Sequence, residues 1–164
     1  MQGINVLHFF YLFQKKCYFC PVILFKKMTL KDNLNQSDRF AASCGISLTD
    51  IKEGYAVAEM TVQERHLNGG GVCQGGALFT LADLAVAAAV NSHRQLTFGI
   101  QNSISFLHSA QKGDRLKATA EEIFNHPKIP YVNVKIENQN GELIAVLTGQ
   151  GYRKNAEMKF DTLI

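Results

Sequence analysis

Residues 77–90 read Ala-Leu-Phe-Thr-Leu-Ala-Asp-Leu-Ala-Val-Ala-Ala-Ala-Val, a run of good helix formers that is apolar on nearly every side. The run predicts one helix, opening at Gly75-Gly76 and buried all round. It is too short to cross a bilayer, so the rest of the chain must wrap it. That single requirement excludes an open, helix-free architecture.

The wrapping material reads as strands. From Leu96 to Phe106 the even positions Leu96, Phe98, Ile100, Ile104 and Phe106 are apolar, while Thr97, Gln101, Ser103 and Ser105 are polar. The alternation returns at Leu116, Ala118 and Ala120 and at Val132, Val134 and Ile136. Asn140-Gly141 is a strong hairpin signal leading into a strand over 142–152. Upstream, Leu30, Leu34, Ala41 and Cys44 fall near helical spacing, and Gly45 is a helix stop. Residues 46–51 and 55–62 read as two strands around Glu53-Gly54, the second with Ala56, Ala58, Met60 and Val62 on one face. The fold class is therefore α+β: one long central helix against a curved antiparallel sheet of about five strands. A chain of 164 residues, 46% hydrophobic and 19% charged, suits one such domain and needs neither disulfide nor structural metal to fold.

Charge is unevenly placed. The formal charge is +3, but residues 1–27 hold four of the 17 basic side chains and none of the 14 acidic ones. Residues 28–164 therefore carry 13 basic and 14 acidic groups, and the basic stripe of a nucleic-acid reader is missing. The same leader holds seven of the 16 aromatics and shows no period of 2 or 3.6. Its apolar runs are broken at Gln14-Lys15-Lys16 and Pro21, which fits neither a spanning helix nor an export signal. Two readings stand for it: an interfacial amphipathic segment, or sequence outside the natural product with the true start at Met28. The helix start Thr29-Leu30-Lys31-Asp32 favours the second. Without an export signal, a cytoplasmic protein with reduced cysteines is expected. Cys17-x-x-Cys20 lacks the second ligand pair of a zinc site, so Cys17, Cys20, Cys44 and Cys73 read as incidental thiols. No metal and no organic cofactor is expected.

Two features carry chemistry. Asp83 is the one charge in the apolar helix, and a buried carboxylate is costly unless it is paired or faces a pocket. It either braces a neighbouring loop or Arg, or serves a site, and the second reading is favoured. The other feature is the run from His66 to Gly76, with five glycines ahead of or at the helix start. N–H groups at a helix N-terminus suit a phosphate or a developing oxyanion. No Gly-Lys-Ser/Thr ending supports a nucleotide loop. His66, His93, His108 and His126 show no metal spacing and read as surface or loop residues. Cys73 has no histidine placed to activate it.

Together, His66-x-Asn68-x-x-Gly71-x-x-Gln74-Gly75-Gly76 and Leu81-Ala82-Asp83 resemble the signature of hotdog-fold acyl-CoA thioesterases of the phenylacetic acid degradation type. The resemblance spans about residues 40–153, including Phe106-Leu107-x-x-Ala110 and the Asn140-Gly141 hairpin. It implies the hotdog fold, acyl-CoA as substrate and no cofactor. It also implies catalytic roles for Asp83 as base or nucleophile, Gly75 as oxyanion donor, and Asn68 in positioning substrate and water. Gln74 departs from the family, where histidine is common; a glutamine donates a hydrogen bond but does not titrate near neutrality. His66 and Gly76 from the motif, and Asn102 where it interrupts its strand's apolar face, are candidates for substrate contact. Arg115, Lys117, Lys128, Arg153 and Lys154 are candidates for the coenzyme A phosphates, each otherwise simply solvated. A binding module for acyl-CoA without hydrolysis is the main alternative, and a hydratase would want a paired histidine that the motif lacks. The acyl group itself is not legible.

One geometric point needs no resemblance. Gly75 and Asp83 are eight residues apart, roughly 12 Å along one helix. One thioester does not bridge that gap, so donor and carboxylate are expected from two antiparallel chains in a homodimer with shared sites. The family implies in addition that such dimers pair.

Overall fold

The computed structural model describes residues 28–164, so the leader reading and Cys17 and Cys20 lie outside the described residues. Two short helices open the chain, α1 (Leu30–Ser37) and α2 (Arg39–Ser43). Strands β1 (Ser47–Lys52) and β2 (Tyr55–Thr61) follow, then a 3-10 turn (Glu64–His66), the long helix α3 (Gly75–Asn91), and β3 (Gln95–Phe106). The chain finishes with β4 (Arg115–Phe124), β5 (Tyr131–Glu137) and β6 (Leu143–Glu157). The sheet has six strands rather than about five, all antiparallel, in the order β1-β2-β4-β5-β6-β3. This is the hotdog arrangement, with the sheet curled around α3.

Local chemistry sets the element ends. Thr29 caps α1, accepting from the Asp32 N–H at 2.9 Å, as the sequence predicts. The single helix expected over 30–44 is broken at Asp38, whose carboxylate accepts from the Ala41 N–H at 2.9 Å and starts α2. At Asn140-Gly141 the hairpin forms, with Gly141 at φ 77°. It is wider than a two-residue turn: Asn138 Oδ1 accepts from the N–H groups of Asn140 and Glu142 at 3.0 and 3.1 Å.

Helix α3 lies over β2 and β4, whose inward positions are Ala56 and Ala58 and Ala118 and Ala120, all with no exposure. Small side chains on the sheet let the helix sit close. Its far end is fixed by Asn91. The Asn91 amide donates to the carbonyls of Ala87 and Thr97 at 2.9 and 3.0 Å and accepts from the Thr97 N–H at 2.9 Å. That clamp pins the start of β3 to the end of α3. Among the described residues no helix is long and apolar enough to cross a membrane.

Three further expectations are corrected. Helix α3 is not buried all round: Gly76, Phe79, Asp83 and Ala87, spaced three and four residues apart, form a stripe that is wholly or partly open. The even-numbered apolar residues of β3 do not share one face either. A register shift between Gly99 and Gln101 puts Leu96, Phe98 and Ile100 out of phase with Asn102, Ile104 and Phe106. Since β3 is also an edge strand, Phe98, Ile100 and Phe106 stay 54%, 55% and 54% exposed in the single chain.

Arg153 and His93 give the third correction, because neither is a solvated surface group. Glu122 continues the inward alternation of Ala118 and Ala120 into the core, its side chain 2% exposed. It pairs with the 4% exposed Arg153 at 2.7 Å and with His93, whose other ring nitrogen lies 3.4 Å from Glu53. Arg153 also donates to Asn125 Oδ1 at 2.5 Å and to the His126 carbonyl at 2.8 Å, while its Nε has no partner among the described residues. Buried charges persist only when paired and hydrogen-bonded in this way.

Candidate active site

Asp83 stands at the middle of the open stripe of α3, on the wall of a cavity of about 410 Å3 between that helix and β3. The cavity's other walls include Phe79, Val86, Ala87, Val90 and Asn102. Asn102 Nδ2 donates to Asp83 Oδ1 at 2.6 Å, the one direct bond to the carboxylate among the described residues. The carboxyl is pushed above the usual aspartate range, chiefly because the surrounding groups strip water from it. The Asn102 hydrogen bond pulls the other way, and the Asp38 carboxylate adds to the upward push. Asn102 Oδ1 is buried without a partner, a cost of about 1–3 kcal/mol for an amide oxygen. Its donor is committed to Asp83, which leaves the oxygen facing inward.

The glycine loop meets the helix at Gln74, which is the cap of α3. Gln74 Oε1 accepts from the Gly76 N–H, so that N–H, a candidate for substrate contact, is occupied. The Gly75 N–H has no acceptor among the described residues. A Cβ on Gly75 would lie 2.8 Å from Phe106 Cζ, so the glycine lets the aromatic ring of β3 close over the helix start. Sequence reasoning did not find Phe106 in this place.

Asn68 and His66 build the loop. Asn68 Oδ1 accepts from the Gly70 and Val72 N–H groups at 2.8 and 3.4 Å, and its backbone N–H donates to the Val72 carbonyl at 2.8 Å. His66, expected at the surface and beside substrate, is buried at 5% exposure. Its Nδ1 accepts from the Gln63 N–H at 3.0 Å, and its carbonyl accepts from the Gln74 N–H at 2.7 Å. Burial, helped by the Arg65 guanidinium, lowers its pKa, so near neutrality the ring carries no charge. It holds the loop that presents Gly75 rather than facing the cavity. Cys73 is buried, its thiol pushed up to about 11, and is no nucleophile near neutrality.

Thus the structure brings Asp83 and Asn102 together on one cavity, and Gln74, Gly75 and Gly76 together at the helix start, eight residues away. Lys128 bonds to Asn155 at 2.7 Å and Lys154 lies over the Tyr152 ring, while Arg115 and Lys117 line a separate groove far along the sheet. No group of three or more His, Cys, Asp or Glu side chains among the described residues could hold a metal ion.

Comparison with known proteins decides the family. The thioesterase superfamily profile matches residues 70–145, the segment that runs from within the glycine loop through α3, β3, β4 and β5 to the start of β6. The Escherichia coli acyl-coenzyme A thioesterase PaaI is 36% identical over 118 residues, covering 72% of this chain and 84% of that protein. The chain belongs to the PaaI-like hotdog thioesterases. An Archaeoglobus fulgidus protein carrying an esterase name is also 36% identical, over 85% of this chain and 92% of its own length. Among solved structures, the E. coli PaaI protein superposes with a TM-score of 0.75 at 33% identity, over 77% of this chain and 92% of that one. A Streptococcus pneumoniae thioesterase solved with coenzyme A gives 0.66 at 25% identity, over 69% and 88%.

Proposed function

We propose that this thioesterase hydrolyses acyl-CoA thioesters, with Asp83 acting on a water molecule and the Gly75 N–H of a second chain receiving the oxyanion. One observation carries the reading: a carboxylate with a single bonded oxygen, Oδ1 on Asn102, stands at a largely apolar cavity with Oδ2 left for the reaction. Water gives its proton to Asp83 as its oxygen adds to the thioester carbonyl. The tetrahedral oxyanion forms against the Gly75 N–H and the positive end of α3. Collapse breaks the C–S bond, the thiolate takes up a proton, and the products are the free acid and coenzyme A. Phe79, Val86, Ala87 and Val90 form the apolar wall that receives the acyl group. Gln74 orients the loop through its cap bond and has no proton to exchange near neutrality. The coenzyme A bound to the S. pneumoniae relative and the name of the E. coli one support the choice of acyl-CoA over other thioesters.

The shared site is supported by the edge position of β3 and its exposed Phe98 and Ile100, which an antiparallel partner strand would pair and cover. We place the protein in the cytoplasm as such a dimer, with dimers pairing further. Co-expression of Asp83→Ala with Gly75→Pro tests the sharing. Proline suits the backbone of a first helical position and removes the N–H, and its ring turns the half-exposed Phe106 aside. Half the dimers should be mixed, each rebuilding one intact site, so thiol release should recover to roughly 25% of wild type by symmetry counting. Recovery no greater than the sum of the two single variants, with mixed dimers demonstrated by mass spectrometry, would place the site within one chain.

A further inference from the structure

We propose that Gly149 is a positioning residue for hydrolysis: by having no side chain it lets the Asn102 amide reach Asp83. The inference rests on the role given to Asp83 above. Asn102 of β3 stands directly opposite Gly149 of β6, both at inward positions of the sheet. A Cβ on Gly149 would lie 2.6 Å from Asn102 Oδ1, closer than real Cβ atoms approach anything, and 3.2 Å from both methyls of Val86.

Backbone conformation does not explain this glycine. The glycines with positive φ are Gly45, Gly54, Gly71, Gly113 and Gly141, and Gly149 is not among them. Alanine would adopt the same backbone without strain, so the glycine answers to space alone. Nor is the backbone free to retreat, because Gly149 is held between β5, opposite Val132, and β3.

The buried, unpartnered Asn102 Oδ1 shows what the space is for. Its Nδ2 must face the Asp83 carboxylate, so its oxygen must face Gly149, where no hydrogen bond is made. A methyl group at 149 displaces that oxygen, turns the amide and breaks the bond to Asp83. Val86 is one turn below Asp83 on α3, so the same methyl also presses on the helix that carries the carboxylate. Losing the bond removes the one interaction that draws the Asp83 pKa down.

The test compares Gly149→Ala, Asn102→Ala and the double variant in the full chain, by thiol release from acyl-CoA across pH. Gly149→Ala should lower kcat about tenfold, the worth of one hydrogen bond to a charged group, with KM little changed. It should move the acid limb of the kcat profile to higher pH, and Asn102→Ala should do the same. In the Asn102→Ala background, where the clash with Oδ1 is gone and only the milder 3.2 Å contacts with Val86 remain, Gly149→Ala should fold and cost far less than its tenfold effect in the wild type. A carbon-13 NMR titration of the Asp83 carboxyl reads the same coupling without turnover, and Gly149→Ala should raise its midpoint. Additive losses, or an unmoved titration, overturn the role of Gly149. A wild-type protein that releases no thiol while the titration still moves would overturn the hydrolytic reading and leave the positioning of Asp83 standing.

Discussion

Asp83→Asn is expected to lower turnover by at least about 100-fold, because the change is nearly isosteric yet removes the group that takes the proton. Asparagine still accepts from the Asn102 amide, which is 2.6 Å from Asp83 Oδ1, so the local geometry survives. Stability should move in the opposite direction to activity. The Asp83 pKa is raised in the folded chain, chiefly by loss of hydration. A raised carboxyl favours folding at low pH, where it is protonated in both states, and that advantage is lost as pH rises through its folded value. At neutral pH the charge is therefore a cost, and Asp83→Asn should keep or raise the melting temperature. The wild-type kcat/KM should fall on acidification with a midpoint above the ordinary aspartate value of 3.8, since only the ionised form acts as base. An Asp83→Asn protein that retains activity would remove Asp83 from the mechanism.

The largest effect on stability is expected outside the reacting groups, at Glu122→Gln. The change keeps the side chain's size but leaves Arg153, 4% exposed, without its 2.7 Å counter-charge. Breaking a buried pair by removing one partner costs about 3–5 kcal/mol. In a domain of this size that is a fall in Tm of roughly 10 °C, read by calorimetry at fixed protein concentration because an oligomer's Tm depends on it. Adding Arg153→Met should return much of the loss, since the stranded charge is then gone. A Glu122→Gln protein that melts within a degree of wild type would mean that the Arg153 guanidinium is satisfied by Asn125 and the His126 carbonyl alone.

What the sequence displayed were the features written in local pattern. Helix α3 and its lone aspartate follow from residues 77–90, the helix starts from Thr29 and from Gly75-Gly76, and six strand segments from alternation and turn signals, although the sheet was put at about five strands. What it concealed depends on register and contact between distant segments. A bulge in β3 has no signature in the even spacing of Leu96, Phe98 and Ile100, so those residues looked like core. The burial of Glu122 has no local signature, because its partners Arg153 and His93 lie about thirty residues away on either side. Gly149 left a faint signal, a glycine inside a strand, which marks close approach of another group. Asn102 drew notice only because it broke an apolar pattern, and its bond to Asp83 needed the fold to appear.

The alanine floor beneath α3 bears on how such an enzyme can diverge. Ala56, Ala58, Ala118 and Ala120 have no exposure, and a longer side chain at any of them would lift the helix, at a cost of typically about 1–3 kcal/mol. Drift toward new acyl groups therefore has little room beneath the helix. It must run through the rim, at Phe79 and Ala87, where side chains meet the cavity without supporting α3 from below. A library randomised at those two positions should yield altered substrate ranges among folded proteins, and one randomised at the four alanines should yield mainly unfolded ones.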